Sequence, residues 1–429
     1  MYLKSSILNL YQDRKLILVL IFTISILSCL AFLLFFKNIG PVEHGMPGSD
    51  YLSYYRRVAE SISQGKGIPI KEYFATAYPI GYPLILSGLF SISNLLNIDR
   101  LELIIVFNVF ATAFAACFLF LFVESIFKKK IALMASFLWL TYPFNLWLIK
   151  NPNTEVPFIL IFYLALWLYV LAIKKHSSKL FLVVGILIGF MSLIRPTSIF
   201  LPIPLIFLIF FLIKNCPFRK KLLFSLILLI SYIVIILPWI IYIYLNIGKI
   251  VLLSTVVGHY WVASASITFI VDVPKMRGEA VLLPNDVINL INDFKGENIR
   301  SSLNIASFFL EELISRPITV FKLMIIKMAR SWYATSEMWW EKEILSIQLL
   351  YLISAISGII LWLERKKEML IHLIFPLVIV FYFWVITTTV LSILRYMIPV
   401  MGIVMIFSSI SFLYLGERLI KFKRNLNKT

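Results

Sequence analysis

Long apolar runs, separated by short and mostly basic polar segments, set the rhythm of this chain. Runs at 16–36, 101–126, 131–149, 156–173, 180–194, 198–213, 222–245, 344–363, 370–388 and 395–415 read as bilayer-crossing helices, since a crossing takes about 20 apolar residues. Pro238 is expected to bend the run that contains it. The piece at 79–97 is also apolar, but Pro79, Gly81 and Pro83 interrupt it, so it reads as an interfacial or re-entrant helix. The pattern predicts an all-α polytopic membrane protein of about 10–11 transmembrane helices. One long polar segment, 246–342, stands apart. Within it, 308–333 has helical spacing, its apolar positions alternating with Glu311, Glu312, Arg316, Lys322, Lys327 and Arg330. Trp332, Trp339 and Trp340 follow, as in a helix lying at a membrane interface.

The polar segments give the orientation. Lys4, Arg14 and Lys15, Lys128 to Lys130, Lys174 with Lys175, Lys220 with Lys221, Arg365 to Lys367, and Arg418 to Lys428 all fall on one side of the predicted weave. That side is the cytoplasm by the positive-inside rule, so both termini are expected there, in a plasma (inner) membrane. Three parts follow: a transmembrane module at 1–245 with its first external loop at 37–99, an external segment at 246–342, and C-terminal helices with a basic tail at 343–429.

Composition agrees. The chain has 429 residues, 61% of them hydrophobic, with mean hydropathy +0.93, more apolar surface than a soluble domain could hide. The net charge of +18 is spent on topology and anionic lipid, and implies no nucleic-acid partner. Cys29, Cys117 and Cys216 and the four histidines show no zinc or redox spacing. There is no phosphate-binding glycine loop, HExxH or Asp-x-Asp, which argues against direct use of a nucleotide sugar. The absence of an internal repeat disfavours an inverted-repeat transporter.

Lone charges at the outer ends of spans are the chemistry-bearing residues, because an ionisable group at membrane depth is costly. They are Asp50, Lys150 with Glu155, Arg195, and Arg395 with Tyr396. Asp50 opens the first external loop. After it, Tyr51, Tyr54, Tyr55, Val58, Ala59 and Ile62 form one helical stripe that Ser49 or Asp50 would cap and Gly65 would end. Then come Gly65-Lys66-Gly67 and Tyr78-Pro79-Ile80-Gly81-Tyr82-Pro83.

An apolar span followed by Gly48-Ser49-Asp50-Tyr51, a short helix, Gly-x-Gly and Pro-x-Gly-Tyr-Pro resembles the polyprenol-phosphate-dependent glycosyltransferases of the GT-C fold. The branch it resembles is the protein mannosyltransferase and aminoarabinose transferase group (glycosyltransferase family 39-like). Asn153-Thr154-Glu155, Ile194-Arg195-Pro196-Thr197, Arg395-Tyr396-x-x-Pro399 and Leu237-Pro238-Trp239 resemble further elements of that group. The family's Arg-Asn pair after Pro-Trp is replaced here by Tyr242-Ile243. The resemblance implies transfer of a sugar, with inversion, from a polyprenyl-phosphate donor to a glycan, lipid or protein acceptor on the outer face. It makes Asp50 the catalytic base, and implies that Glu155, Arg195, Arg395 and Tyr396 bind substrate or hold the site; Lys150 joins these candidates as the outer charge beside Glu155. Tyr51 and Tyr82 could stack on a sugar ring. With a single acid in the first-loop motif, no metal or other cofactor is expected. The rival readings are a flippase or transporter of lipid-linked glycans, and a surface-polysaccharide polymerase or ligase.

Overall fold

The computed structural model describes residues 13–36, 49–69, 76–248, 250, 252–254, 256–297, 302–335, 338–365 and 370–426. The basic segments at 1–12 and 366–369, and the Pro47-Gly48 start of the first-loop motif, lie outside them. All regular structure among the described residues is helical.

Helix α1 is Arg14–Phe36, the predicted first span. A π-helical turn, Tyr51–Tyr55, runs into α2, Arg56–Ser63, and Gly65 at φ +73° closes this short helix. Its stripe is buried as the spacing predicts: Tyr51, Tyr54, Tyr55, Val58 and Ala59 face inward against α3, Gly81–Leu96. Ser49 supplies the cap, accepting from Leu52 N at 3.4 Å, whereas Asp50 makes no capping bond. That leaves the Asp50 carboxylate for other work. At 16 residues, α3 is shorter than a full crossing needs.

Next come α4 (Arg100–Ile126), α5 (Lys129–Leu140), α6 (Pro143–Leu148), α7 (Glu155–Lys175), α8 (Ser178–Ile194), α9 (Pro202–Leu212) and α10 (Phe218–Ile247). The run at 131–149, expected as one span, is two helices. Pro143 cannot continue α5 and instead starts α6, with Tyr142 extended between them. Pro238 is carried inside α10. Helix α8 packs closely on α10 through Gly185 and Gly189, one turn apart. A Cβ at Gly189 would lie 2.7 Å from Ile235 Cβ, the small-residue contact by which apolar helices approach in lipid.

The polar segment holds α11 (Val256–Met276), α12 (Asn285–Gly296), α13 (Ser302–Ser315) and α14 (Pro317–Arg330) around a small core of Ile267, Ile270, Val287, Leu290, Val320 and Leu323. The helix expected over 308–333 is therefore divided. Arg316 leaves helical geometry (φ −134°, ψ 59°) and Pro317 begins a new helix. Helices α15 (Glu341–Arg365), α16 (Leu370–Thr389) and α17 (Ile398–Leu426) complete the chain, with a 3₁₀ turn, Leu394–Tyr396, before α17.

Six of the described helices, α1, α4, α7, α10, α15 and α17, are long and apolar enough to cross a membrane. Shorter apolar helices stand among them at 81–96, 178–194, 196–212 and 373–389. Their outward faces carry exposed Leu34, Leu95, Phe207, Ile230 and Ile353, a surface that lipid rather than water satisfies. The protein is an integral membrane protein.

Candidate active site

The site is built where five inter-helix segments meet: the turns before α2 and α3, the loop from α6 to α7, the α8–α9 turn and the 3₁₀ turn before α17. Glu155 is its hub. It is the first residue of α7 and 0% exposed. Arg195 Nη1 pairs with Oε1, and Arg395 bonds both oxygens, through Nε to Oε1 and Nη2 to Oε2, the latter at 3.0 Å. Arg195 also donates to Thr154 Oγ1 at 3.1 Å and lies over the Tyr396 ring, 4.7 Å from its centroid. Such a buried carboxylate is tolerable because its lone pairs are filled by cations. Two guanidiniums against one carboxylate leave the cluster with a net positive charge. The two arginines differ in access. The Arg195 side chain is 7% exposed and the Arg395 side chain 35%.

Local sequence explains the loop that presents Glu155. Asn153 Oδ1 accepts from Val156 N at 3.0 Å and so caps α7, while its amide donates to Asn151 O at 2.7 Å. From mid-helix in α4, Asn108 donates to the carbonyls of Ile149 and Asn151, both at 3.1 Å. The sequence reading passed over Asn108, although a lone amide in an apolar run was the available signal. Lys150 is buried, its Nζ 3.4 Å from the centre of the Trp147 ring.

The Arg195 turn is set by glycine. A Cβ at Gly81 would sit 2.6 Å from both the carbonyl carbon and the oxygen of Leu193, so only glycine lets the Pro79-x-Gly81 turn close on the end of α8. This contact brings the first loop to Arg195, two residues beyond Leu193.

Asp50 is exposed, and its Oδ1 accepts from Tyr78 OH at 2.8 Å. Tyr78 in turn accepts through its carbonyl from Tyr54 OH at 2.6 Å. Burial first, and the adjacent Asp50 carboxylate second, push the Tyr78 phenol well above its ordinary value, so it stays protonated and donates. Burial likewise raises Tyr55, which feels the charges of both Asp50 and Arg195. Tyr396 lies in electrostatic reach of Asp50, Glu155, Arg195 and Arg395 together. Asp50, Glu155, Arg195, Arg395 and Tyr396 are therefore one constellation, with Tyr55 and Tyr78 between its halves. Tyr51 and Tyr82 are buried in the aromatic stripe, Tyr82 packing edge-on to Tyr55 and lying in electrostatic reach of Glu155 and Arg395. Neither presents a ring face for stacking.

Glu155 has both oxygens occupied, so Asp50 is the described carboxylate of the site whose second oxygen is open to a ligand. Among the described residues no group of three or more His, Cys, Asp or Glu is placed to hold a metal ion.

Residues 79–242 match the family described as dolichyl-phosphate-mannose-protein mannosyltransferase. The match begins at the Pro79 turn and takes in Lys150, Glu155 and Arg195, but neither Asp50 nor Arg395. No curated protein matches the chain. Among solved structures the chain is similar to the Archaeoglobus fulgidus oligosaccharyltransferase tethered with an acceptor peptide containing the NVT sequon. The TM-score is 0.57 at 13% identity, over 96% of this chain and 51% of that one. It is also similar to the oligosaccharyltransferase AglB of Archaeoglobus fulgidus in complex with an inhibitory peptide and a dolichol-phosphate, with TM-score 0.55 and 14% identity, over 97% and 52% of the two chains. The chain spans about half the length of these proteins. At such identity the likeness is one of fold: the chain has the GT-C fold that its first-loop motif implied. The chain thus joins a glycosyltransferase-family match over residues 79–242 to a GT-C fold.

Proposed function

We propose that this protein transfers a sugar from a polyprenyl-phosphate donor to a hydroxyl-bearing acceptor on the extracytoplasmic face, with inversion, and that Asp50 is the general base. The observation that carries the reading is the meeting of an open carboxylate, Asp50, with a net-positive Glu155–Arg195–Arg395 cluster at the ends of apolar helices. Glycosyl transfer from a lipid phosphate needs those two halves. The acceptor oxygen attacks the anomeric carbon as the bond from that carbon to the phosphate oxygen breaks. The phosphate leaves with the bonding electrons, and the acceptor's proton passes to a carboxylate. Asp50 takes the proton. The more open Arg395 meets the developing phosphate charge, where a fixed cation in a dry site is most effective. Buried Arg195 holds Glu155 and the Tyr396 ring. Tyr78, donating to one Asp50 oxygen, orients the other toward the acceptor. No metal is part of the proposal. Attack from the face opposite the phosphate gives inversion. A membrane-embedded enzyme suits a donor whose tail is itself in the membrane.

In this reading both termini are cytoplasmic and the five converging segments face outward, in a plasma (inner) membrane. The sequence favours an enzyme over a flippase because its charges sit at helix ends rather than along a mid-membrane path. The test uses the full chain in nanodiscs with labelled polyprenyl-phosphate sugars and a panel of glycan, glycolipid and peptide acceptors. The expected result is release of polyprenyl phosphate matched by product of inverted anomeric configuration. Retained configuration would overturn the direct displacement. Movement of lipid-linked glycan across vesicles without any transfer would overturn the enzyme reading in favour of transport.

A further inference from the structure

The Glu155–Arg395 pair joins residues 240 positions apart, Glu155 opening α7 and Arg395 lying on a short segment between helices. Arg395 is in a three-residue 3₁₀ turn, and Glu155 follows the loop that leaves α6. One buried amide is tied to the supports of both.

Gln348, in the apolar helix α15, is 0% exposed. Its Nε2 donates to the Trp332 carbonyl at 2.9 Å. A carbonyl can only accept, so this bond fixes which way the amide faces. Oε1 is then left to accept from Tyr142 OH at 3.0 Å, and the second Nε2 proton meets Met401 Sδ at 3.9 Å. On one side, Trp332 belongs to the turn that ends at Ala334, whose carbonyl accepts from Leu394 N at 2.8 Å, one residue before Arg395. On the other side, Tyr142 is the extended residue between α5 and α6, and α6 leads into the Lys150–Glu155 loop. Tyr142 is itself fully buried and packs edge-on to Tyr351, one turn along from Gln348 on α15. The two routes from Gln348 thus run to the residue before Arg395 on one side and, through α6, toward the loop before Glu155 on the other. Packing alone gives no reason for a glutamine here. A lone amide on a fully apolar helix face carries a desolvation cost that only its bonds offset.

We infer that Gln348 is a positioning residue. It sets the register of Arg395 against Glu155 through the Trp332–Ala334 turn and through Tyr142, and so fixes the aim of the guanidinium that meets the donor phosphate. This rests on reading the Glu155–Arg395 pair as part of the transfer site.

The test has two arms. The first needs no substrate. Backbone hydrogen exchange is followed in nanodiscs for wild type, Gln348→Met and Tyr142→Phe; the second variant removes one hydroxyl and keeps the glutamine, in case the first folds poorly. Losing one buried bond of this chain is expected to speed exchange at 391–397 about tenfold, while α7 and α8 keep their protection. Unchanged exchange at 391–397 in both variants would overturn the inference. The second arm compares turnover and donor KM in the wild-type and Arg395→Lys backgrounds. Gln348→Met is expected to lower kcat/KM for the donor about tenfold in the first and far less in the second, since the two residues act as one unit. An equal loss in both backgrounds would show a general structural role and sink the proposal. If wild type transfers nothing, the function reading fails, and the exchange arm still decides whether Gln348 holds the Arg395 turn.

Discussion

Replacing Glu155 by glutamine removes one charge and almost no volume, so it isolates the electrostatics of the buried cluster. A guanidinium at the 3.0 Å separation of Arg395 Nη2 from Oε2 attracts a carboxylate by about 5.5 kcal/mol at an effective dielectric of about 20. Desolvating each ion opposes this by several kcal/mol, so the pair itself has a modest net worth. Breaking it is another matter. An amide in place of the carboxylate has one acceptor for two arginines, and its NH₂ group faces a donor. Loss of one member of a buried ion pair costs about 3–5 kcal/mol. Glu155→Gln is therefore expected to lower the unfolding temperature clearly, measured in matched detergent at a fixed scan rate, because unfolding of such a protein is a kinetic quantity. Adding Arg195→Met should return part of the loss, since it removes the uncompensated charge with the poorer access to solvent. A Glu155→Gln protein as stable as wild type, or a double variant destabilised by the full sum of the two singles, would refute the view of Glu155 as the buried hub.

Three further substitutions probe other links. Gly81→Ala forces a Cβ to within 2.6 Å of the Leu193 backbone, so a shift costing about 1–3 kcal/mol is expected, with loss of activity because Arg195 moves with that turn; retained stability and activity would show the turn to be loose. Tyr78→Phe removes the donor to Asp50 Oδ1 and is expected to lower kcat about tenfold with little change in donor KM, checked by steady-state kinetics. Lys327, on α14 outside the spans, is buried, and desolvation lowers its pKa to about 8. Between there and its unfolded value near 10.5 the unfolded chain binds more protons, so stability rises with pH across that window; Lys327→Met should flatten that part of the thermal-stability profile, and an unchanged profile would contradict the burial.

Much of the fold was legible because membrane helices announce themselves locally. The spans at 16–36, 101–126, 156–173 and 222–245 appear as α1, α4, α7 and α10 with ends moved by a few residues. Where the reading failed, a proline decided: Pro143 divided one expected span and Pro317 one expected interfacial helix, each starting a helix rather than sitting within one. The π-helical turn at Tyr51–Tyr55 had no signal in the spacing, since the same stripe is buried by an α-helix. At the site, lone outer charges pointed to Glu155, Arg195 and Arg395, because charge in an apolar context is conspicuous. Their pairing was not readable. A bond across 240 residues depends on how α7 and α17 pack, not on anything local. For the same reason the sugar-stacking role expected of Tyr51 and Tyr82 gives way to core packing, and Gln348 passed unnoticed as one amide in a long apolar run.

The most direct test of the central claim compares wild type with Asp50→Asn in a transfer assay, matched for expression and supplied with labelled polyprenyl-phosphate sugar. The substitution keeps the shape of the side chain and its bond from Tyr78 but removes its ability to take a proton. Transfer is expected to fall by about 10²–10⁴-fold with donor binding retained. Transfer at the wild-type rate would contradict it and move the base elsewhere.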